Sequence, residues 1–238
     1  MNIEIIKCLK DNYSYLIIDS NKDALVVDPS ESEPLIRVIE KKKVNLKFIL
    51  NTHHHFDHIG GNDELKKRYK AKIIGFKNDG DRIPGIDIFL SDNEIWRSRN
   101  FEAQIIYIPG HTSGHIAFHF YKNGILFSGD TLFSLGCGRV FEGTNKDMYE
   151  SLSRLKKLPL NTKIYCGHEY TYNNSLFCIK HDNQNIKLKK KVIEIEKKIK
   201  RNEPTIPSTI KDELECNIFL RAKSLEEFSK LRDLKDNF

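Results

Sequence analysis

Four imidazoles and a carboxylate crowd the seven residues Thr52-His53-His54-His55-Phe56-Asp57-His58. Imidazole nitrogen and carboxylate oxygen are the ordinary ligands of a zinc-like divalent ion, and a catalytic metal site needs several of them plus an open position. The spacing His-x-His-x-Asp-His lets His53 and His55 leave the loop on one side and Asp57 and His58 on the other, so that two ions could be held side by side. A histidine tag or a nonspecific metal-binding tract is repetitive and terminal. This cluster instead follows the apolar run Phe48-Ile49-Leu50 and precedes Gly60-Gly61, as a structured turn does.

Three more potential ligands stand where predicted strands end and loops can converge on one sheet edge. They are His111 in Pro109-Gly110-His111-Thr112-Ser113-Gly114-His115, Asp130 in Ser128-Gly129-Asp130-Thr131, and His168 in Cys166-Gly167-His168-Glu169. A glycine before each lets the backbone turn sharply and aim the side chain inward. Singly, each reads as a capping Asp or a satisfied core histidine. Beside the first loop, three such turns make coincidence a poor account.

The elements that must position these turns are legible from apolar spacing. Strands are expected at residues 3–6, 13–18, 24–27, 47–50, 73–76, 103–108, 116–121, 125–128 and 163–166. Asn123-Gly124 is expected to join two of them as a hairpin. Helices are expected at 33–43, with one apolar side, at 62–70, and at 145–157, started by Thr144 or Asn145. From about Thr171 strand patterns vanish. Residues 186–201 carry Ile186, Val192, Ile193, Ile195 and Ile199 among many charges, and residues 224–235 carry Leu225, Phe228, Leu231 and Leu234 at helical spacing. This reads as a small helical appendage docked on the main domain, since its apolar face is too large for a disordered tail.

Composition narrows the class. The 238 residues, 39% of them hydrophobic, suit a globular protein with a substantial core, and no apolar run approaches the roughly 20 residues that span a bilayer. The opening Met1-Asn2-Ile3-Glu4-Ile5-Ile6-Lys7 reads as a strand, without the basic-then-apolar layout of a signal peptide. Cys8, Cys137, Cys166, Cys178 and Cys216 are odd in number, scattered and without a Cys-x-x-Cys pair, which points to a reducing compartment, the cytosol. The net charge of +6 sits partly in Lys41-Lys42-Lys43 and in residues 187–201. Base-stacking aromatics are missing from that second run and Glu194 and Glu196 interrupt it, so it reads as a solvated helix face and no nucleic-acid partner is expected. An anionic small substrate suits the same balance.

With these motifs the chain resembles the metallo-β-lactamase superfamily and, within it, the glyoxalase II (hydroxyacylglutathione hydrolase) family, over essentially its whole length. The features that narrow the resemblance are Gly136-Cys137-Gly138-Arg139 with Phe141-Glu142-Gly143, the run from Gly167 to Thr171, Asn217-Ile218-Phe219-Leu220-Arg221, and Arg232-x-x-Lys235. The resemblance implies an α/β fold, a four-layer αββα sandwich with a C-terminal helical domain. Residues 1–170 would be the catalytic domain and residues 171–238 the helical substrate-binding domain. It implies that His53, His55 and His111 hold one metal and Asp57, His58 and His168 a second, with Asp130 bridging. His54, His115 and His119 are not ligands in this pattern. Two divalent ions are implied, Zn²⁺ being expected, although mixed nitrogen and oxygen donors also accept Fe²⁺ or Mn²⁺.

The family's activity is hydrolysis of S-lactoylglutathione to glutathione and D-lactate by a hydroxide shared between the metals, which Asp57 would orient. Arg139, Phe141, Tyr170, Arg232 and Lys235 would contact glutathione, whose two carboxylates suit guanidinium and ammonium groups. Many relatives have Tyr where Phe141 stands, so a hydroxyl contact is missing there. Cys137 has no base beside it and is expected to pack rather than attack. A monomer acting on a small-molecule glutathione thioester, away from membranes, completes the expectation. Competing readings are a lactonase or persulfide dioxygenase of the same superfamily, a nucleic-acid-processing protein gripping through residues 187–201, and a metal-binding protein without catalysis. Metal counting, oxygen uptake and salt-dependent RNA binding distinguish them.

Overall fold

Runs such as Leu25-Val26-Val27 and Phe48-Ile49-Leu50 are apolar at every position, which suits strands covered on both faces. The computed structural model describes all 238 residues, Met1–Phe238, and their contacts divide the chain into two compact units. The first comprises Met1–Tyr107 and Gly114–Asn123, the second Ile108–Ser113 and Gly124–Phe238.

In the first unit, β1 (Asn2–Cys8), β2 (Asn12–Ile18) and β3 (Asp23–Val27) form an antiparallel meander. Helix α1 (Ser32–Lys42) then crosses to β4 (Asn45–Leu50), which lies parallel to β3, with Val27 paired to Leu50. The short α2 (Phe56–Ile59) and α3 (Asn62–Tyr69) lead to β5 (Lys72–Phe76), and β6 (Ile88–Leu90) completes a six-stranded sheet in sequential order. Leu35, Ile36 and Ile39 of α1 and Leu65 of α3 pack on Leu16, Val26, Ile49 and Ile73 on one face of that sheet. Three antiparallel strands, β7 (Ile95–Ser98), β8 (Phe101–Tyr107) and β9 (Ile116–Phe120), meet the strands of this sheet through aromatic contacts: Phe48 sits edge-on to Trp96 at 5.2 Å and Phe76 stacks on Tyr107 at 4.8 Å. Because β3 and β4 run parallel and end in register, Asp28 and Asn51-Thr52 emerge at the same edge, where open parallel sheets usually present their ligands.

In the second unit, β10 (Ile125–Gly129) is followed by a hairpin of two-residue strands, β11 (Leu132–Phe133) and β12 (Gly136–Cys137). Helix α4 (Asn145–Leu155) begins with a reciprocal capping box between Thr144 and Asp147 and leads to β13 (Lys163–Cys166), parallel to β10. Then come α5 (Thr171–His181), α6 (Ile186–Lys200), β14 (Ser208–Thr209) antiparallel to β13, α7 (Ile210–Cys216), α8 (Ile218–Arg221) and α9 (Leu225–Asp236).

The expected strands and helices are all present near their predicted bounds. Several features differ, and α2, the β11–β12 hairpin and α5 are not individually expected. The two-residue strand β14 lies where strand patterns end in the sequence, too short to show any alternation. The connection from β9 to β10 is a 3₁₀ turn, Tyr121–Asn123, with Gly124 at φ 62°, in place of a tight two-residue turn. The short β6, β7, α7 and α8 carry too few residues for a period to be read.

Thr144 accepts from the Asp147 amide, and Asp147 accepts from the Thr144 amide at 2.8 Å. Thr144→Ala is expected to cost about 1 kcal/mol, the usual worth of such a cap. It should appear as a lower urea midpoint at unchanged slope. An unmoved midpoint would show that the cap contributes nothing.

Candidate metal centre

Each unit carries one group of side chains able to hold a metal, and hydrogen bonds set how their imidazoles are turned. In the first unit the organiser is Asp28, buried at the end of β3. Its Oδ1 accepts from the Thr52 amide at 2.8 Å and its Oδ2 from the Thr52 hydroxyl at 2.7 Å. The same Oδ2 lies 3.1 Å from His58 Nδ1. A carboxylate only accepts, so His58 donates from Nδ1, which leaves Nε2 as the nitrogen turned toward Asp57. Thr52 has spent its one proton on Asp28. Its oxygen, 3.1 Å from His53 Nδ1, must therefore accept there, and His53 likewise presents Nε2.

The ligating atoms are close together. His53 Nε2 lies 3.1 Å from His55 Nδ1, and His58 Nε2 lies 3.6 Å from Asp57 Oδ2. The Asn12 amide donates to both Oδ2 and the main-chain oxygen of Asp57, at 2.9 and 3.0 Å. Asn51 donates to the His58 carbonyl and is paired with Asn62, closing the turn from behind. Gly60 and Gly61 are required by close approach, since a Cβ on Gly60 would lie 2.5 Å from the Ser30 carbonyl oxygen. Asp28 could be counted as a ligand with His53 and His58 by distance. Its oxygens are already engaged by Thr52 and His58, which makes it an orienting carboxylate of the kind that stands behind metal-bound histidines.

In the second unit one oxygen is the focus. Asp130 Oδ2 lies 3.5 Å from His111 Nε2 and 3.2 Å from His168 Nε2. All three side chains are buried. His111 Nδ1 lies 2.8 Å from the Arg139 carbonyl, an obligate acceptor, so His111 too presents Nε2. The glycines before the ligands have distinct roles. Gly110 sits at φ 139° with Met148 where a Cβ would stand, and Gly129 is at φ 47°. A Cβ on Gly138 would meet the Asp130 carbonyl oxygen at 1.9 Å.

Around this group, the His168 ring stacks on Tyr170 at 4.7 Å, and the half-exposed Phe141 stands edge-on to His111 at 5.2 Å. Arg139 is largely exposed, 3.9 Å from Asp236 and within 5.8 Å of the Phe141 ring. Lys235 lies over Phe177 and Phe238, and burial, then the neighbouring Arg232, pushes its ammonium below the usual lysine range. Arg232, in contrast, is buried: it donates to Asp236 and to the carbonyls of Cys137 and Gly138 at 2.9 and 3.3 Å. Burial raises the Cys137 thiol, which suits packing and not nucleophilic attack.

The other histidines fall elsewhere. His54 faces the buried Asp79 at 3.7 Å, His115 stacks on His53 at 4.6 Å, and His119 is buried on β9 with its pKa lowered by desolvation. The sequence spacing does not single out Asp28, which opens Asp28-Pro29-Ser30 after β3. Its position directly after an apolar strand, like Asp130, was the signal available.

Residues 10–94 and 98–168 match the metallo-beta-lactamase superfamily, and residues 169–238 match the family described as hydroxyacylglutathione hydrolase C-terminus. A hydroxyacylglutathione hydrolase of Pelagibacter ubique (strain HTCC1062) is 62% identical over 239 residues, covering 100% of each chain. The chain belongs to the hydroxyacylglutathione hydrolase family. Among solved structures, ETHE1 from Myxococcus xanthus matches with a TM-score of 0.76 at 24% identity, over 98% of this chain and 90% of that one. TTHA1623 in a di-iron-bound form matches with a TM-score of 0.59 at 26% identity, over 71% and 92%. The fold is the α/β metallo-β-lactamase fold with a C-terminal helical region, as the resemblance implied. The metallo-β-lactamase fold with its His/Asp groups suggests a dinuclear metal site in this hydroxyacylglutathione hydrolase family member.

Asp28→Asn is expected to weaken metal binding 10–100-fold, the usual effect of losing a carboxylate behind a ligating histidine. Competition against a chromogenic chelator measures this. Wild-type affinity in the variant would mean that the backbone alone holds the turn.

Proposed function

We propose that this chain hydrolyses S-(2-hydroxyacyl)glutathione thioesters, S-lactoylglutathione giving glutathione and D-lactate, and so serves in methylglyoxal detoxification. The observation that carries the reading is Asp130 Oδ2 between two imidazole Nε2 atoms, in a chain alike over its full length to a hydroxyacylglutathione hydrolase. His53, His55 and His111 would hold one divalent ion and Asp57, His58 and His168 the other, with Asp130 shared. Zinc is the expected ion, and iron or manganese suits the same donors. Such ions, when bound, act as Lewis acids and lower the pKa of bound water toward ~7.

The residues of the chain do the rest. Asp57, steadied by Asn12, accepts a hydrogen bond from the attacking water and aims it at the thioester carbonyl. The leaving group is a thiolate whose conjugate acid has a pKa of about 8.5, so expulsion requires no general acid. Residues 171–238 would form the substrate-binding domain with Arg139, Phe141 and Tyr170. Arg139 and Lys235 suit the glutathione carboxylates by charge, Tyr170 supplies an aromatic edge and a hydroxyl, and Phe141 packs against the peptide. Arg232 supports this surface from beneath by holding the carbonyls of Cys137 and Gly138 next to Arg139. The protein would act as a monomer in the cytosol; no helix is long and apolar enough to cross a membrane.

The test is release of free thiol from S-lactoylglutathione by purified protein, run beside a thioester without glutathione and with bound metals counted. Preference for the glutathione ester is expected. Oxygen uptake with a persulfide and no thiol release would replace this reading with a dioxygenase. Asp130→Ala should lose at least one metal equivalent and nearly all activity; retention of both would overturn the ligand assignment. Lys235→Ala should raise KM roughly tenfold with little change in kcat, as befits one charge-assisted contact. An unchanged KM would remove Lys235 from the substrate surface.

A further inference from the structure

We infer that Glu213, a carboxyl of α7 hydrogen-bonded to the Leu135 amide, is a positioning residue for the ligating group of the second unit, acting through the tip of the β11–β12 hairpin. The inference rests on the reading that His111 and Asp130 hold metal.

The hairpin links the two places directly. Its base begins beside Asp130 and returns through Gly138 and Arg139, with the Gly138 amide donating to the Thr131 carbonyl at 3.2 Å. At that base the Arg139 carbonyl receives His111 Nδ1, and Gly138 lies so close to Asp130 that no Cβ fits. Any shift of the returning strand therefore moves the acceptor that sets the His111 tautomer and the backbone that carries Asp130.

The tip is a two-residue loop, Ser134-Leu135, since Phe133 pairs with Gly136. Leu135 sits at φ 58°, the left-handed region where glycine or asparagine is ordinarily found in such loops. A leucine stays in that conformation only when its surroundings impose it. The surroundings here are Glu213, Cys178 and Asn174. Glu213 Oε2 accepts from the Leu135 amide at 2.8 Å, the Cys178 thiol donates to the Leu135 carbonyl at 3.1 Å, and Asn174 donates to the Ser134 carbonyl at 3.1 Å. Asn217 completes the hold: its amide donates both to Glu213 Oε2 at 2.9 Å and to the Gly136 carbonyl at 3.0 Å.

Glu213 is fully buried, with only the Ser208 hydroxyl beside its second oxygen. An ionised carboxylate in that position would be costly. Burial raises its pKa to about 7, so near neutrality a large share is the neutral acid, whose accepting oxygen is all the hairpin needs. A buried carboxyl retained where an apolar side chain would pack without this cost is explained by the amide it holds. Leu135 N–H would otherwise be a buried donor without an acceptor.

The experiment measures metal affinity of folded protein by chelator competition for wild type, Glu213→Gln, Glu213→Asp and Glu213→Ala, with kcat under saturating metal as a second readout. Gln keeps an accepting oxygen at the same reach and is expected to bind metal within about threefold of wild type. Asp withdraws the acceptor by one methylene and Ala removes it. Both are expected to lose 10–100-fold in affinity, as for other groups that orient ligands indirectly. A purely structural role would lower thermal stability in Ala and Asp while leaving the affinity of the folded fraction unchanged, and that result would overturn the inference. Gln falling as far as Ala would overturn it too. If Ala does not fold, Asp against Gln decides. Wild type that binds no metal would instead defeat the metal-centre reading itself, so the two failures are separate.

Discussion

The arrangement that organises the second unit is a single carboxylate oxygen of Asp130 within 3.5 Å of two imidazole nitrogens, all buried. A buried carboxylate is unfavourable unless it is matched by positive charge or hydrogen bonds. A divalent cation would supply such a match, because carboxylate and imidazole lone pairs both ligate it. The surrounding structure is built to keep these donors in place: parallel strands β10 and β13 deliver Asp130 and His168 from neighbouring strand ends, and glycines let the backbone pass without Cβ atoms.

The orientation of these imidazoles comes from the hydrogen-bond acceptors behind them. Asp28 and Thr52 set the protonated nitrogens of His58 and His53, and the Arg139 carbonyl does so for His111. The Asp28 carboxylate and the Arg139 carbonyl can only accept, and the single proton of the Thr52 hydroxyl is committed to Asp28, so the protonated nitrogen follows from chemistry in each case. The first unit achieves this with a side chain that caps a strand end. The second uses a main-chain carbonyl at the base of a hairpin, and that carbonyl is only as fixed as the hairpin.

The helical segment after Thr171 thereby acquires a role beyond covering the core. Asn174 of α5, Glu213 of α7, Asn217 between α7 and α8, and Arg232 of α9 all place polar groups on the backbone of residues 134–138. Arg232 shows how position in a fold changes the meaning of a residue type. On a charged terminal helix a guanidinium ordinarily faces water or ligand. This one lies over Phe219 at 5.2 Å and donates to two carbonyls and to Asp236. Lys235, three residues on, is only half-buried and lies over Phe177 and Phe238.

Much of the fold was readable because strand and helix periods are short-range properties: β2, β4 and β10 are apolar runs bounded by turn residues, and α1 and α4 carry one apolar stripe. Short elements such as β14 and α8 escaped because two to four residues hold no period. The ligand types were equally plain in the sequence, since four histidines and an aspartate in one turn have few other uses. What the linear pattern could not determine was who holds each ligand. His58 is oriented from 30 residues away, His111 from 28, the Leu135 amide from 78, and Arg232 reaches back 95 residues to Cys137. Residue type and local spacing are set by chemistry that acts over a few bonds, so the sequence alone announced metal ligands and a hydrolase-like scaffold. Partners so far apart meet only when packing brings their elements together, so the tautomers, the burial of Arg232 and the grip of Glu213 on the hairpin were decided by the tertiary structure.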